Sequence, residues 1–431
     1  MTQLALHGGP KTIKKPFPAY NSIGQEELEA AKAVIESGQL SGFFGSWSDQ
    51  FYGGPKVREL EQAWADLFQV KHAVSVNSLT SGLITAVGAL HIEPGDEVIV
   101  SPWTMAASAT AILVWNAIPV FADIESETFN LDPKAVERCI TPRTRAIMVP
   151  DIFGHAAELD SIMEIARRYN LQVIEDAAQS PFARYHGEFV GTIADIGGFS
   201  LNYHKHIHSG EGGITVTNDD ELAERMRLIR NHAEAVVGLK GVKNLVNMIG
   251  FNFRLGEIEA AIAREQLKKL PKLTLMRSRT GAMLTKGLQE LKGLRPPTIK
   301  DSCTHVHYIY AMIYDQTETG VSREQLIAAL QAEGVPWLYP GYQLIHLLPI
   351  YQKKIAYGKR GFPWTSDVYQ GDVCYNEGIC PVAERLHQRE LMCLQLCQHN
   401  YTDEEAALVI EAFHKVWRQL DKLSVRSRKK V

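Results

Sequence analysis

The sequence predicts an α/β protein whose core is a mostly parallel mixed sheet with helices on both faces. Between about residues 56 and 200, stretches with apolar residues at helical spacing alternate with short, mainly apolar runs. Runs of that kind mark strands buried on both sides, and their alternation with helices is what a parallel sheet requires. Near residue 270 the alternation ends, and a mixed, loop-rich region follows that predicts a smaller α+β unit. A chain of 431 residues exceeds what one core usually supports, so about two domains are expected. The boundaries are set at an N-terminal arm over 1–30, a large domain over 31–275 and a C-terminal domain over 276–431.

Taken in order, VRELEQAWADLF (57–68) is a helix, AVSV (73–76) a strand and SGLITAVGAL (81–90) a helix. The turn EPGD leads into the strand EVIV (97–100). ATAILVWNA (109–117) is a helix and PVFADI (119–124) a strand. The strand RAIMVPD (145–151), the helix LDSIMEIARRYN (159–170) and the strand LQVIED (171–176) follow. LGEIEAAIAREQLKKL (255–270) is a helix stopped by Pro271. HVHYIYAMIY (305–314) reads as a strand, and SREQLIAALQAEG (322–334) and TDEEAALVIEAFHKVWRQL (402–420) as helices.

Composition is that of a globular protein, with 45% hydrophobic and 22% charged residues. A formal net charge of -4 gives no electrostatic case for nucleic acid, and the one basic run, Arg426–Lys430, reads as a solvated tail. Six cysteines (139, 303, 374, 380, 393 and 397) form no C-x-x-C pair and read as reduced, mostly buried thiols. The N-terminus shows no charged segment followed by an apolar stretch, and no apolar run is long enough for a bilayer. A cytoplasmic protein with no membrane partner is the expectation.

Ligands of open α/β sheets collect beyond the carboxyl ends of the strands. Four stretches fall there. SLTSG (78–82) places Thr80 and Ser81 at a helix N-terminus, where they could bind a phosphate or serve as ordinary caps. SPWTMAAS (101–108) puts Trp103 and Met105 at a strand end, as ring-covering groups or as plain core. VIEDAAQS (173–180) delivers Asp176, as a functional carboxylate or a cap. FSLNYHKHIHSGEGG (199–213) sets Lys205 among His204, His206 and His208. A strand could aim all three imidazoles at a metal, but no acidic or thiol ligand stands at a suitable spacing. A reactive lysine needs a phosphate anchor, a ring-covering side chain and an acid for a ring nitrogen, and the other three stretches supply that set. Pyridoxal 5′-phosphate demands this constellation, because a lysine forms its Schiff base and an aspartate keeps its pyridine nitrogen protonated.

FSLNYHK with GEGG resembles the lysine segment of the DegT/DnrJ/StrS family of sugar aminotransferases. VIEDAAQ resembles its aspartate strand, and GFNFRLGEIEAAIA (250–263) its dimer-contact segment. GGPK near the start, PKVRELEQAWADLF and CPVAERL also fit. The resemblance implies a fold-type I pyridoxal phosphate transferase, a homodimer with shared active sites. Lys205 would be the Schiff-base lysine and proton shuttle, and Asp176 the partner of the ring nitrogen. Gln179 would lie against the cofactor's phenolic oxygen. Thr80, Ser81 and Ser200 would bind the phosphate, and Asn252 would reach the phosphate held by the other subunit; by its own residues alone, Asn252 reads as a helix cap. Two positions depart from the family pattern: Leu79 replaces a common glycine, and Met105, with Trp103 nearby, occupies the slot of a stacking aromatic.

The resemblance implies transfer of an amino group from glutamate or glutamine to an oxo-sugar or related carbohydrate. Nucleotide-linked keto-sugars, cyclitol ketones and an oxidised octulosonate all suit the family as acceptors. The alternatives are a sugar dehydratase of the same fold, which carries histidine in place of the lysine, and a non-catalytic cofactor-binding regulator. The aromatic stretch GFFGSWSDQFYGG (42–54) reads equally as an acceptor-binding loop or a dimer-packing arm, and His346 and Arg184 are further candidates for acceptor contacts.

Overall fold

Apolar strands need cover on both faces, and the sequential helices provide it. The computed structural model describes residues 3–423, so the basic run Arg426–Lys430 lies outside the described residues. Its main sheet has seven strands: β1 (His72–Val76), β2 (Glu97–Val100), β3 (Ile118–Phe121), β4 (Thr144–Pro150), β5 (Gln172–Asp176), β8 (Ile196–Ser200) and β9 (Gly213–Thr217). Two short strands, β6 (Arg184–Tyr185) and β7 (Glu188–Phe189), form a hairpin between β5 and β8. The order is β1-β9-β8-β5-β4-β2-β3, with β9 antiparallel to both neighbours and the other pairs parallel. The predicted mostly parallel mixed sheet is therefore present.

The helices around it are α1 (Gln25–Ser37), α2 (Pro55–Phe68), α3 (Leu79–Ala89), α4 (Ala106–Val114), α5 (Pro133–Arg138), α6 (Leu159–Tyr169), α7 (Asp220–Arg230), the single turn α8 (Val237–Lys240) and the long α9 (Glu257–Leu288). A second, antiparallel sheet has the order β10-β11-β13-β12, from β10 (Leu294–Arg295), β11 (Ile309–Tyr314), β12 (Leu338–Pro340) and β13 (Leu391–Gln395). Helices Arg323–Ala332 and Asp403–Trp417 pack with it.

Pro271 does not stop its helix. α9 passes through it, although a proline inside a helix costs about 3 kcal/mol. The flanking turns bury Leu267, Leu270 and Thr274 against α1 and α2, and the Thr274 hydroxyl donates to the carbonyls of Leu270 and Pro271. Packing on both sides of the proline outweighs one lost backbone bond. β11 also begins four residues later than predicted, at Ile309, because His307 takes a left-handed backbone (φ 47°) that no strand accommodates.

Near the start of the chain, Glu333 accepts hydrogen bonds from Ala5, Thr12 and Lys415, which pins this segment to the C-terminal unit. The segment 341–380 runs along the outer edge of the main sheet. Its Tyr375 hydroxyl donates to the carbonyl of Pro119 in β3, and its Tyr369 hydroxyl to Glu97 in β2. Asp123, just past β3, accepts from the amides of Val382 and Ala383 in CPVAERL. Among the described residues, no helix is long and apolar enough to cross a membrane.

Candidate active site

At the carboxyl ends of β1, β5 and β8 lies a cavity of about 200 Å³. One end of it is built by the β1–α3 turn. Ser78 caps α3, its Oγ accepting from the amide of Ser81 at 3.2 Å, and the unpaired first amides of the helix form an anion cradle. Thr80 lines the cavity, and so does Ser78, a residue the sequence reading passed over although a serine just before a helix is a favoured N-cap. Ser81 turns away: it is buried and donates to Asn77 Oδ1 at 2.6 Å. Ser200, at the end of β8, completes the hydroxyl set.

Close packing explains why β8 and β9 carry glycine here. A Cβ on Gly198 would sit 2.7 Å from Leu79 Cδ1, and one on Gly213 would sit 2.5 Å from the Leu79 backbone nitrogen. Leu79 thus fills the space over β8 with its side chain, while α3 enters against bare backbone.

Asp176 ends β5 inside the cavity. The Ser108 hydroxyl donates to its Oδ2 at 2.8 Å and the Ala178 amide to its Oδ1 at 3.2 Å. Burial raises its pKa in spite of those bonds. Lys205 rides on the loop after β8, which is closed by Leu201 N–H to Gly212 O and Ser209 N–H to Leu201 O. Burial pulls the Lys205 amine down to about 8, with the Asp176 charge acting the other way. Burial therefore moves both partners toward their neutral forms, and their attraction offsets only part of that. An amine with pKa near 8 is about a quarter free base at pH 7.5, against about 0.1% for an ordinary lysine. That is what a lysine needs to act as nucleophile or base.

The three histidines diverge. His204 lines the cavity, and burial lowers it to about 4. His206 is fully buried with Nε2 3.0 Å from Val306 O, and His208 accepts the amide of Gly210 at 3.3 Å. Among the described residues, no group of three or more His, Cys, Asp or Glu is arranged to hold a metal ion.

Gln179 lines the cavity, accepting from the Phe153 amide at 2.9 Å and reaching the Tyr342 hydroxyl at 3.4 Å. Met105 is exposed at the cavity wall, whereas Trp103 is wholly buried behind it against Phe129, Phe153 and Tyr342. Of the two side chains expected to cover a ring, only Met105 faces the space. Tyr308 and Tyr342, from the C-terminal unit, line the cavity and were not anticipated. Arg184 and His346 do not line it: Arg184 stacks on Phe189, and His346 pairs with Glu384 at 3.0 Å.

Asn252 is outside this cavity. It is exposed, accepts from Arg254 Nε at 2.7 Å and does not cap α9, whose cap is Gly256. The aromatic stretch 42–54 is also remote from it. Asn231 donates to the carbonyls of Phe44 and Phe51, Lys240 sits over Trp47, and Phe44 and Trp47 stay largely exposed.

The donor set fits pyridoxal 5′-phosphate. Hydroxyls and free amides at a helix N-terminus suit a dianionic phosphate, a buried carboxylate suits a protonated ring nitrogen, and an amine of lowered basicity stands beside it.

Three comparisons agree with this reading. The family model described as the DegT/DnrJ/EryC1/StrS aminotransferase family matches residues 22–377. The spore coat polysaccharide biosynthesis protein SpsC of Bacillus subtilis is 33% identical over 81% of this chain and 88% of its own. A putative L-glutamine:3-amino-2,3-dideoxy-scyllo-inosose aminotransferase of Streptoalloteichus tenebrarius is 32% identical over 98% of this chain and 99% of its own. Among solved structures, S. venezuelae DesV superposes with a TM-score of 0.75 at 31% identity, covering 91% of this chain and 95% of that one. With the lysine, aspartate and hydroxyl cradle in one cavity and the match spanning most of its length, this chain belongs to the DegT/DnrJ/EryC1/StrS aminotransferase family.

Proposed function

We propose that this protein is a pyridoxal 5′-phosphate-dependent aminotransferase that moves an amino group from glutamate or glutamine to an oxo-sugar or cyclitol ketone. The observation that carries the reading is the convergence of Lys205 and Asp176 beside the hydroxyl-lined start of α3. The inosose aminotransferase likeness supports a cyclic polyhydroxylated ketone as acceptor, and the likeness to SpsC supports a place in cell-surface polysaccharide synthesis. Lipopolysaccharide and secondary-metabolite pathways present the same kind of ketone.

Bound in this cavity, the cofactor supplies an electron sink that lets an amine be exchanged for a ketone. Ser78, Thr80 and Ser200 would hold its phosphate with the first amides of α3. Asp176, fixed by Ser108 and Ala178, would pair with its ring nitrogen, and Gln179 would lie against its phenolic oxygen. Met105 would cover a ring face with its polarisable thioether. Lys205 Nζ takes a proton from the amino donor's α-carbon in one half-reaction and returns one in the other, which its lowered basicity favours. Ser81 supports the cradle through Asn77 instead of touching the phosphate.

The working unit is a cytoplasmic homodimer in which Asn252, exposed in one chain, meets the phosphate of its partner's cofactor. The segments 1–30, 31–275 and 276–431 act as arm, cofactor domain and C-terminal domain. The test is transfer of nitrogen from labelled glutamate and glutamine to a panel of oxo-sugars and inososes. An aminated product from at least one acceptor is expected; absence of transfer from both donors, with cofactor bound, would refute the reading.

A further inference from the structure

Lys205 lies 4.5 Å above the ring of Tyr308, measured from Nζ to the centroid. Tyr308 stands just before β11, in the C-terminal unit, and its ring is buried. Its placement is built with care. The preceding residue, His307, is a non-glycine in the left-handed region, a conformation that persists only where surroundings enforce it. The rings of His307 and His305 stack at 3.9 Å, and the His305 Nδ1 accepts the His307 amide at 3.0 Å. The His307 ring packs against α9 at Gly281, where an added Cβ would come within 2.3 Å of it. On the other side, the Val306 amide donates to the carbonyl of Gly154, and the Val306 carbonyl meets the His206 ring, next to Lys205. The segment 305–308 is thus wedged between the end of β4, the lysine loop and α9.

We propose that Tyr308 is the positioning residue for Lys205: its ring face holds the amine over the cavity and stabilises the ammonium form. The electron-rich face of an aromatic ring attracts a cation, most strongly where water is excluded. The ring therefore works against burial, which draws the amine toward neutrality, and keeps Nζ from swinging into the apolar interior. Other groups facing Lys205 are Asp176 from β5, Cys397 after β13, and the neighbouring His204 and His206, with Arg277 of α9 acting on Cys397 and His206. Asp176 and Cys397 carry no ring, and the two histidines are unchanged in variants of position 308, so the contribution of the Tyr308 ring can be isolated there.

The proposal rests on Lys205 being the reactive amine, and its test uses cofactor-free protein, so it can fail while transamination stands. Lysine is labelled with carbon-13 and the Lys205 resonance, identified by its loss in Lys205→Arg, is followed against pH. Tyr308→Phe keeps the ring face, and its midpoint should stay within about 0.3 pH unit of wild type. Tyr308→Leu removes the face, and its midpoint should fall by about one pH unit or more. A trifluorinated phenylalanine at 308 keeps the shape of Phe while depleting the face, and its midpoint should fall toward that of Leu, which decides the matter if Tyr308→Leu does not fold. A midpoint indifferent to fluorination, or one that falls as far in Tyr308→Phe as in Tyr308→Leu, overturns the proposal.

Discussion

Acidification should destabilise the fold through its buried imidazoles, and His307 gives the sharpest measure of it. His307 is 1% exposed, its Nδ1 has no hydrogen-bond partner, and burial lowers its pKa to about 3. In the unfolded chain the same ring titrates near 6.5. Below 6.5 the unfolded state takes up a proton that the folded state refuses, so stability falls as pH drops and goes on falling until about 3. At pH 5.5 one such ring costs about 1.4 kcal/mol, against less than about 0.1 kcal/mol at pH 7.5. The value at 5.5 depends on the unfolded pKa alone as long as the folded one stays well below it.

The buried carboxylates Asp151, Glu175 and Asp176 are shifted upward and contribute with the opposite sign, so the wild-type profile mixes both effects. A variant isolates one ring. His307→Asn removes the titrating group and keeps a residue tolerant of the left-handed backbone. Urea unfolding of cofactor-free wild type and variant is compared at pH 7.5 and 5.5. Whatever fixed cost the substitution carries, the variant should gain about 1.4 kcal/mol on wild type between the two pH values. A difference unchanged within about 0.3 kcal/mol would mean that His307 is protonated or hydrated in the folded protein, and the reasoning would be wrong.

Asp176→Asn should retain cofactor through the phosphate cradle and slow the glutamate half-reaction by at least about a hundredfold in rapid mixing, the size of a lost preorganised charge; an unchanged rate would show that another group serves the ring nitrogen. Gly213→Ala should weaken cofactor binding by about tenfold or more in equilibrium dialysis, because the new methyl meets the Leu79 amide at 2.5 Å and pushes α3 outward. Lys205→Ala and Asn252→Asp, each inactive alone, should recover activity when unfolded and refolded together, since a mixed dimer then holds one site with both lesions and one with neither. A mixture that stays inactive although mixed dimers form would place Asn252 in its own subunit's service.

The central strands were legible because AVSV, EVIV and LQVIED are short runs centred on Val and Ile that alternate with helical stretches, as a sheet covered on both faces requires. β8 was not: IGGFS (196–200) was assigned to no strand, and its glycines make sense only when Leu79 and the turn at Gly191 are seen pressing on it. Pro271 misled because helix-breaking is a local rule and the packing that overrides it is not. Asp176 and Lys205, which the structure brings into one cavity, could be singled out because they left local signatures, an acid at a strand end and a lysine before GEGG. Tyr308 and Tyr342 left none. Each reaches the cavity across more than a hundred residues of intervening chain, from segments whose own patterns speak of strand and loop. Trp103 shows the converse: its position beside Met105 suggested a site residue, but an indole of that size, flanked by Phe129 and Phe153, is worth more in the core.

Borohydride reduction of the cofactor-loaded protein, followed by peptide mass mapping, asks whether Lys205 is the residue through which amino transfer runs. The cofactor should be fixed on Lys205 and on no other lysine. Prior incubation with glutamate, with no acceptor present, should abolish that fixation, because the amino donor takes the place of Lys205. Fixation on a different lysine, or fixation on Lys205 that neither glutamate nor glutamine prevents, would contradict the assignment.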